Sequence, residues 1–161
     1  MKPAEINLAE RSAEVHNAVD AVLALAPDPL RPTATELAAI LTQLQADDIT
    51  LLAGVLVPTL EAGAIDDAQA ARLCGEHPLR LARELGRVGD SGLPEGWNPG
   101  EHLKPEQAEG LRKLLLALAS DVRLVLIRLA LQLVRLRALK QAGRQEQRIA
   151  ALETQEIYAP L

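Results

Sequence analysis

The stretch Asp121 to Lys140 reads DVRLVLIRLALQLVRLRALK, and how it folds decides the rest of the chain. At about 100° per residue, Asp121, Arg128, Gln132 and Arg135 share one narrow stripe of a helix. Arg123 and Arg137 lie roughly opposite, near the two ends, and Leu and Val, with Ile127 and Ala130, fill nearly everything else. A helix with so thin a polar line is normally a central one, its polar side chains meeting partners from neighbours or lining a cavity. It does not read as a membrane span. Between Leu111 and Leu139 the apolar run is broken by Arg112, Lys113, Asp121, Arg123, Arg128, Arg135 and Arg137. Each Arg, Lys or Asp at mid-bilayer costs roughly 2.5–3.5 kcal/mol.

Working outward, helical periodicity recurs almost everywhere and strand signals are nearly absent. Pro3 to Ala26 predicts a helix that the prolines of PDPLRP, Pro27 to Pro32, bring to an end. Thr33, with Glu36 three residues on, has the pattern of a capping box opening a second helix. Asp47 or Asp48 caps a third, Ile49 to about Leu60, apolar almost all round and so expected to be buried, with Gly63 as its stop. Asp66 and Asp67 open a short helix to Leu73, and Pro78 sits in the first turn of a fifth that ends near Gly86. The stretch Gly89 to Gly100, GDSGLPEGWNPG, reads as the one long loop. Pro105 sits in the first turn of a helix that runs from Gln107 to about Ala119, Ser120 or Asp121 marks a break or kink before the central one, and Gly143 separates that from a last helix, Arg144 to about Tyr158. The expected fold class is all-α, a single domain of about seven or eight helices.

Composition removes several functional classes. Among 161 residues there are 17 basic and 22 acidic side chains, a net charge of -5 that argues against a general nucleic-acid binder. Trp97 and Tyr158 are the only aromatic residues, so a base-stacking platform has almost nothing to be built from. The lone Cys74 has no internal disulfide partner, and the N-terminus carries acids throughout with no uninterrupted apolar h-region. Both point to a cytoplasmic protein.

Recognisable chemistry is scarce. The three histidines, His16, His77 and His102, lie in different segments; His16 has Asp20 four residues on and His102 has Glu106, but no third ligand is nearby. There is no HExxH, CxxC or phosphate-binding loop signature. The pairs Asp47-Asp48 and Asp66-Asp67 sit at helix starts, where capping explains them. Arg72 alone does not make Cys74 a reactive thiol.

The segment QAEGLRKLLLALASDVRLVLIRLALQLVRLRALK, Gln107 to Lys140, resembles the second half of the hydrolase domain of RelA/SpoT proteins, the (p)ppGpp enzymes of the stringent response. The terminal ETQEIYAPL, Glu153 to Leu161, resembles the segment leading from that domain toward a synthetase, and Thr33 to Glu61 is compatible with the same domain in matching order. The resemblance implies an HD-type helical bundle that is a fragment of a longer chain, with a synthetase domain beyond Leu161. Hydrolytic members of the family hold manganese with a His and Asp set, and that set is missing here. The first metal His falls on Thr33, the adjacent His-Asp pair on Val57 and Pro58, and the water-orienting Glu-Asp pair on Glu61 and Ala62. The last metal Asp falls on Leu131, its following Arg on Gln132, and the downstream His-Asn on Val134 and Arg135. Only Glu61 survives of the acidic set.

Departures of this kind resemble the RelA branch, which makes (p)ppGpp but cannot hydrolyse it. The implied fragment is catalytically inactive, with no cofactor and no metal, inside a GTP pyrophosphokinase. Its implied partner is the synthetase domain of the same chain and, through that chain, the ribosome; no membrane and no direct nucleic-acid contact are expected. Arg135, Arg137, Lys140 and the Gly89 to Gly100 loop are the surfaces it would present. Two other readings stay open: a residual metal-dependent (p)ppGpp hydrolase using Glu61 with a recruited His16 or His102, and an unrelated helical interaction module.

Overall fold

A computed structural model describes residues 11–91, 102–118 and 121–159. Among these the chain is all-α, with no strand and eight α-helices: α1 (Ala13–Leu25), α2 (Arg31–Gln43), α3 (Asp48–Glu61), α4 (Asp67–Cys74), α5 (Glu76–Ser91), α6 (Pro105–Leu118), α7 (Val122–Ala138) and α8 (Arg144–Glu153). A 3-10 turn, Leu139–Gln141, follows α7, and α8 runs on into a π-helical turn, Thr154–Tyr158. The chain divides into two compact units, Met1–Gly86 and Arg87–Leu161.

In the first unit α3 packs against α1, α2 and α4. It is buried from Thr50 through Leu60, including Gly54 and Pro58. Val19, Val22, Leu37, Leu41, Leu51, Leu56 and Leu85 supply most of the interior, with Thr50 and Thr59 buried among them. Burial of such aliphatic side chains stabilises by roughly 1.5–3 kcal/mol each. Asp47 caps α3 as expected, its Oδ1 accepting the Thr50 amide at 2.7 Å. Asp66 opens α4 with a full capping box: its carboxylate accepts the Gln69 amide at 2.7 Å while Gln69 Oε1 accepts the Asp66 amide at 3.1 Å. Arg11 adds a tie from before α1 to Asp48 and the Ala46 carbonyl.

Several helix ends differ from the sequence reading. Thr33 is not an N-cap; α2 already begins at Arg31, with Pro32 in its first turn. The turn is made earlier, where the Pro27 carbonyl accepts the Leu30 and Arg31 amides at 2.8 and 2.9 Å. The Arg31 guanidinium then donates to the Leu23 and Ala26 carbonyls at 3.1 and 3.0 Å, closing off the end of α1. Gly86 does not stop α5, which continues to Ser91, so the loop expected from Gly89 is helical at its start; its remainder, with Trp97, lies outside the described residues, as do residues 3–10. A mid-helix glycine costs only about 0.5–1 kcal/mol relative to alanine, and no φ in the left-handed range marks Gly86 as a stop.

Two helices end alike with different residues. After α3, Gly63 takes φ +65° and the Ala64 amide reaches back to the Thr59 carbonyl at 2.9 Å. After α2, Gln45 takes φ +54° and the Ala46 amide reaches the Leu41 carbonyl at 3.0 Å. Both follow the left-handed closure usual for glycine.

In the second unit α7 packs against α6, α8 and the π turn. Asp121 caps α7 by accepting the Arg123 amide at 3.0 Å, and the Arg123 guanidinium grips both its carboxylate oxygens. That contact holds the Asp121 carboxyl below the usual range. Gln147, in the first turn of α8, donates to the Leu139 and Ala142 carbonyls, both at 3.1 Å, which secures the α7–α8 connection.

Candidate functional site

The positions on which the family resemblance places the metal ligands lie on α2, on α3 and its end, and on α7. Thr33 is half-buried in the first turn of α2. Val57 is 2% exposed and Pro58 is buried with it, both within α3. Pro58 has no amide to give the Gly54 carbonyl one turn back. The neighbouring Thr59 hydroxyl donates to the Leu56 carbonyl at 2.7 Å, so even the polar atom beside these positions is turned onto its own helix. Glu61 is exposed at the last residue of α3 and Ala62 is its exposed C-cap. A carboxylate there faces the negative end of the helix dipole, which offers it no stabilisation.

In the second unit Leu131 is half-buried and Val134 is 2% exposed. Gln132 is 4% exposed, and its Nε2 donates to Thr154 Oγ1 at 2.9 Å; that hydroxyl in turn donates to the Ala150 carbonyl at 2.6 Å. Arg135 donates from Nη1 to the buried Glu153 carboxylate at 2.8 Å. The Arg128 guanidinium lies 5.9 Å from the ring centre of Tyr158, within cation–π range. The polar stripe of α7 thus meets partners on the end of α8 and the π turn. Glu153, Thr154 and Tyr158 fall in the segment quoted for its family resemblance, but nothing in the sequence marks them as partners of α7, because polar character in the last helix does not reveal a contact far upstream.

The histidines stand elsewhere. His16 Nδ1 bonds the Ser12 carbonyl at 3.0 Å. His102 is exposed and bonds Glu156 at 2.7 Å rather than Glu106, while Glu156 also accepts the Leu103 amide at 3.4 Å. These contacts hold the Glu156 carboxyl below its ordinary value, the His102 bond contributing most. Burial pushes the Cys74 thiol up to about 11, opposite to what a nucleophile needs.

A manganese ion requires several oxygen or imidazole donors converging on one point. Val57, Pro58, Ala62 and Leu131 have none, and Thr33 has one hydroxyl. Among the described residues no group of three or more His, Cys, Asp or Glu side chains could hold a metal ion. The residues present do not fit the ion.

The HD domain family matches residues 9–161 of this chain, and its all-helical architecture agrees with that family. The chain belongs to that family. It is 34% identical over 134 residues to the GTP pyrophosphokinase rsh of Brucella ovis, which covers 83% of this chain and 17% of that protein. It is 29% identical over 150 residues to the GTP pyrophosphokinase of Myxococcus xanthus (93% of this chain, 19% of the relative) and 30% identical over 129 residues to that of Escherichia coli K12 (78% and 17%). It is therefore an HD domain related to the RelA/SpoT-type GTP pyrophosphokinases, and it spans less than a fifth of the length of these relatives. No helix among the described residues is long and apolar enough to cross a membrane.

Proposed function

We propose that this HD domain has lost metal-dependent (p)ppGpp hydrolysis and serves a cytoplasmic GTP pyrophosphokinase of the stringent response as a regulatory or structural partner of its synthetase domain. The observation that carries the reading is the burial of Val57 and Pro58 as ordinary filling of α3, at the positions where the family resemblance puts a His-Asp pair. Aliphatic replacement also removes the cost of desolvating buried ligand charges. A residual hydrolase would need Glu61 together with a histidine. His16 instead bonds the Ser12 carbonyl, and His102 bonds Glu156.

The test is a calorimetric titration of the chain with manganese, paired with an assay for pyrophosphate release from ppGpp in its presence. No heat of metal binding and no release are expected. Micromolar manganese binding, or metal-dependent release, overturns the proposal.

A further inference from the structure

The last turn of the second unit is wound differently from the helix it continues. The Thr154 amide still reaches the Ala150 carbonyl, four residues back, as an α-helix requires. The Ala159 amide instead donates to the Thr154 carbonyl at 2.8 Å, five residues back. Such π turns are rare and occur mostly as single interruptions of an α-helix. The local sequence does not call for one. Pro160 follows, and a proline disfavours helical backbone at its predecessor, yet Ala159 keeps helical dihedrals, φ -66° and ψ -29°.

What does call for it lies outside the turn, within the same unit. On one side α7 holds Thr154 through the Gln132 amide at 2.9 Å and Tyr158 through the Arg128 guanidinium, 5.9 Å from the ring centre. Glu156, about 200° round the helix from Thr154 at about 100° per residue, is held from elsewhere: it accepts from His102 Nδ1 at 2.7 Å and from the Leu103 amide at 3.4 Å. On an α-helix Tyr158 would stand about 40° past Thr154, because four steps of about 100° overshoot a full circle. The wider π turn takes back that overshoot, so Thr154 and Tyr158 both meet α7 while Glu156 meets the segment before α6.

We propose that Thr154–Tyr158 is a two-register element, π while Gln132 and Arg128 grip it from α7 and His102 holds Glu156, and α when that grip is released. Changing register turns the residues after Tyr158 about the helix axis, so the polar stripe of α7 sets the direction in which they leave. By linkage, whatever fixes those residues biases the stripe in return. The test is the carbonyl to which the Ala159 amide couples across its hydrogen bond, read in a long-range HNCO spectrum of the isotopically labelled chain. In the unsubstituted protein the coupling is expected to run to Thr154. In Gln132→Ala, and in a His102→Ala/Arg128→Ala double variant at less enclosed positions, it is expected to move to Gln155, with the couplings inside α8 unchanged as proof of folding. A move in either folded variant sustains the proposal. Three results overturn it. Ala159 couples to Gln155 before any substitution, so that there is no π register to release. The coupling stays on Thr154 in every folded variant, which makes the register a property of the turn's own sequence. The coupling vanishes while α8 stays intact, which means that the turn unwinds instead of changing register.

Discussion

Helices α3 and α7 are both built almost wholly of aliphatic residues, yet they live in different surroundings. Helix α3 is enclosed on every side from Thr50 to Leu60. Helix α7 divides its circumference among a buried face, a polar clasp and an exposed row with Leu129 and Leu133. The difference follows from where the charge lies. Between Asp48 and Glu61 α3 has no ionisable side chain, so nothing opposes full enclosure, whereas α7 carries Arg123, Arg128, Gln132, Arg135 and Arg137, each of which must reach water or a partner. Apolar content therefore predicts that a helix is buried, and the placing of its few polar residues predicts how much of it is.

The comparison breaks most sharply by truncating one leucine on each helix. Leu56→Ala, at a fully buried position, is expected to cost about 2–5 kcal/mol in urea denaturation, while Leu133→Ala on the exposed row costs less than about 1 kcal/mol. Equal losses would mean that the leucine row is interior. Next in size, Arg135→Ala leaves the buried Glu153 carboxylate without its counterion. Because the arginine itself is half exposed, the expected loss is about 1–2 kcal/mol. Double-mutant analysis with Glu153→Gln should recover part of it.

The left-handed helix ends give a smaller and signed pair. A Cβ at Gly63 meets nothing within 4 Å, so Gly63→Ala carries only the conformational penalty, about 1 kcal/mol. Gln45→Gly is expected to gain about 0.5–1 kcal/mol by removing the same penalty. The smallest effect is pH dependence at the His102–Glu156 contact. Since the folded-state value of Glu156 is depressed, its contribution is complete above the ordinary glutamate value of about 4.3 and is lost as pH falls through the lowered one. His102→Ala should flatten the acid limb of a stability–pH curve, and an unchanged curve would show that the contact contributes nothing.

Much of the fold was legible because it is written locally. Asp47 and Asp66 cap where their positions before apolar runs say they should, and Gly63 closes α3. The polar stripe of α7 was legible as a stripe, but its partners Glu153, Thr154 and Tyr158 were not, since spacing within one helix carries no address for another. Thr33 misled because Pro32 is tolerated in the first turn of a helix, and the turn opened by Pro27 already lets α2 begin at Arg31. Gly86 misled because an ordinary helical φ is open to glycine too. For the candidate site, the residue types could be read directly; the enclosure of Val57 and Pro58 could be expected from the apolar run around them, while the exposure of Glu61 and Ala62 depended on where α3 stops.

Tyr158 is the single tyrosine, and it lies beneath Arg128 at the very end of the terminal helix. Tyrosine ellipticity in the near ultraviolet thus comes from one ring in one chiral setting, a built-in optical reporter for that end of the chain. If it fades on heating ahead of the far-ultraviolet helical band, the π turn frays first and the remaining helices outlast it. If the two fade together, the tail melts as part of its unit.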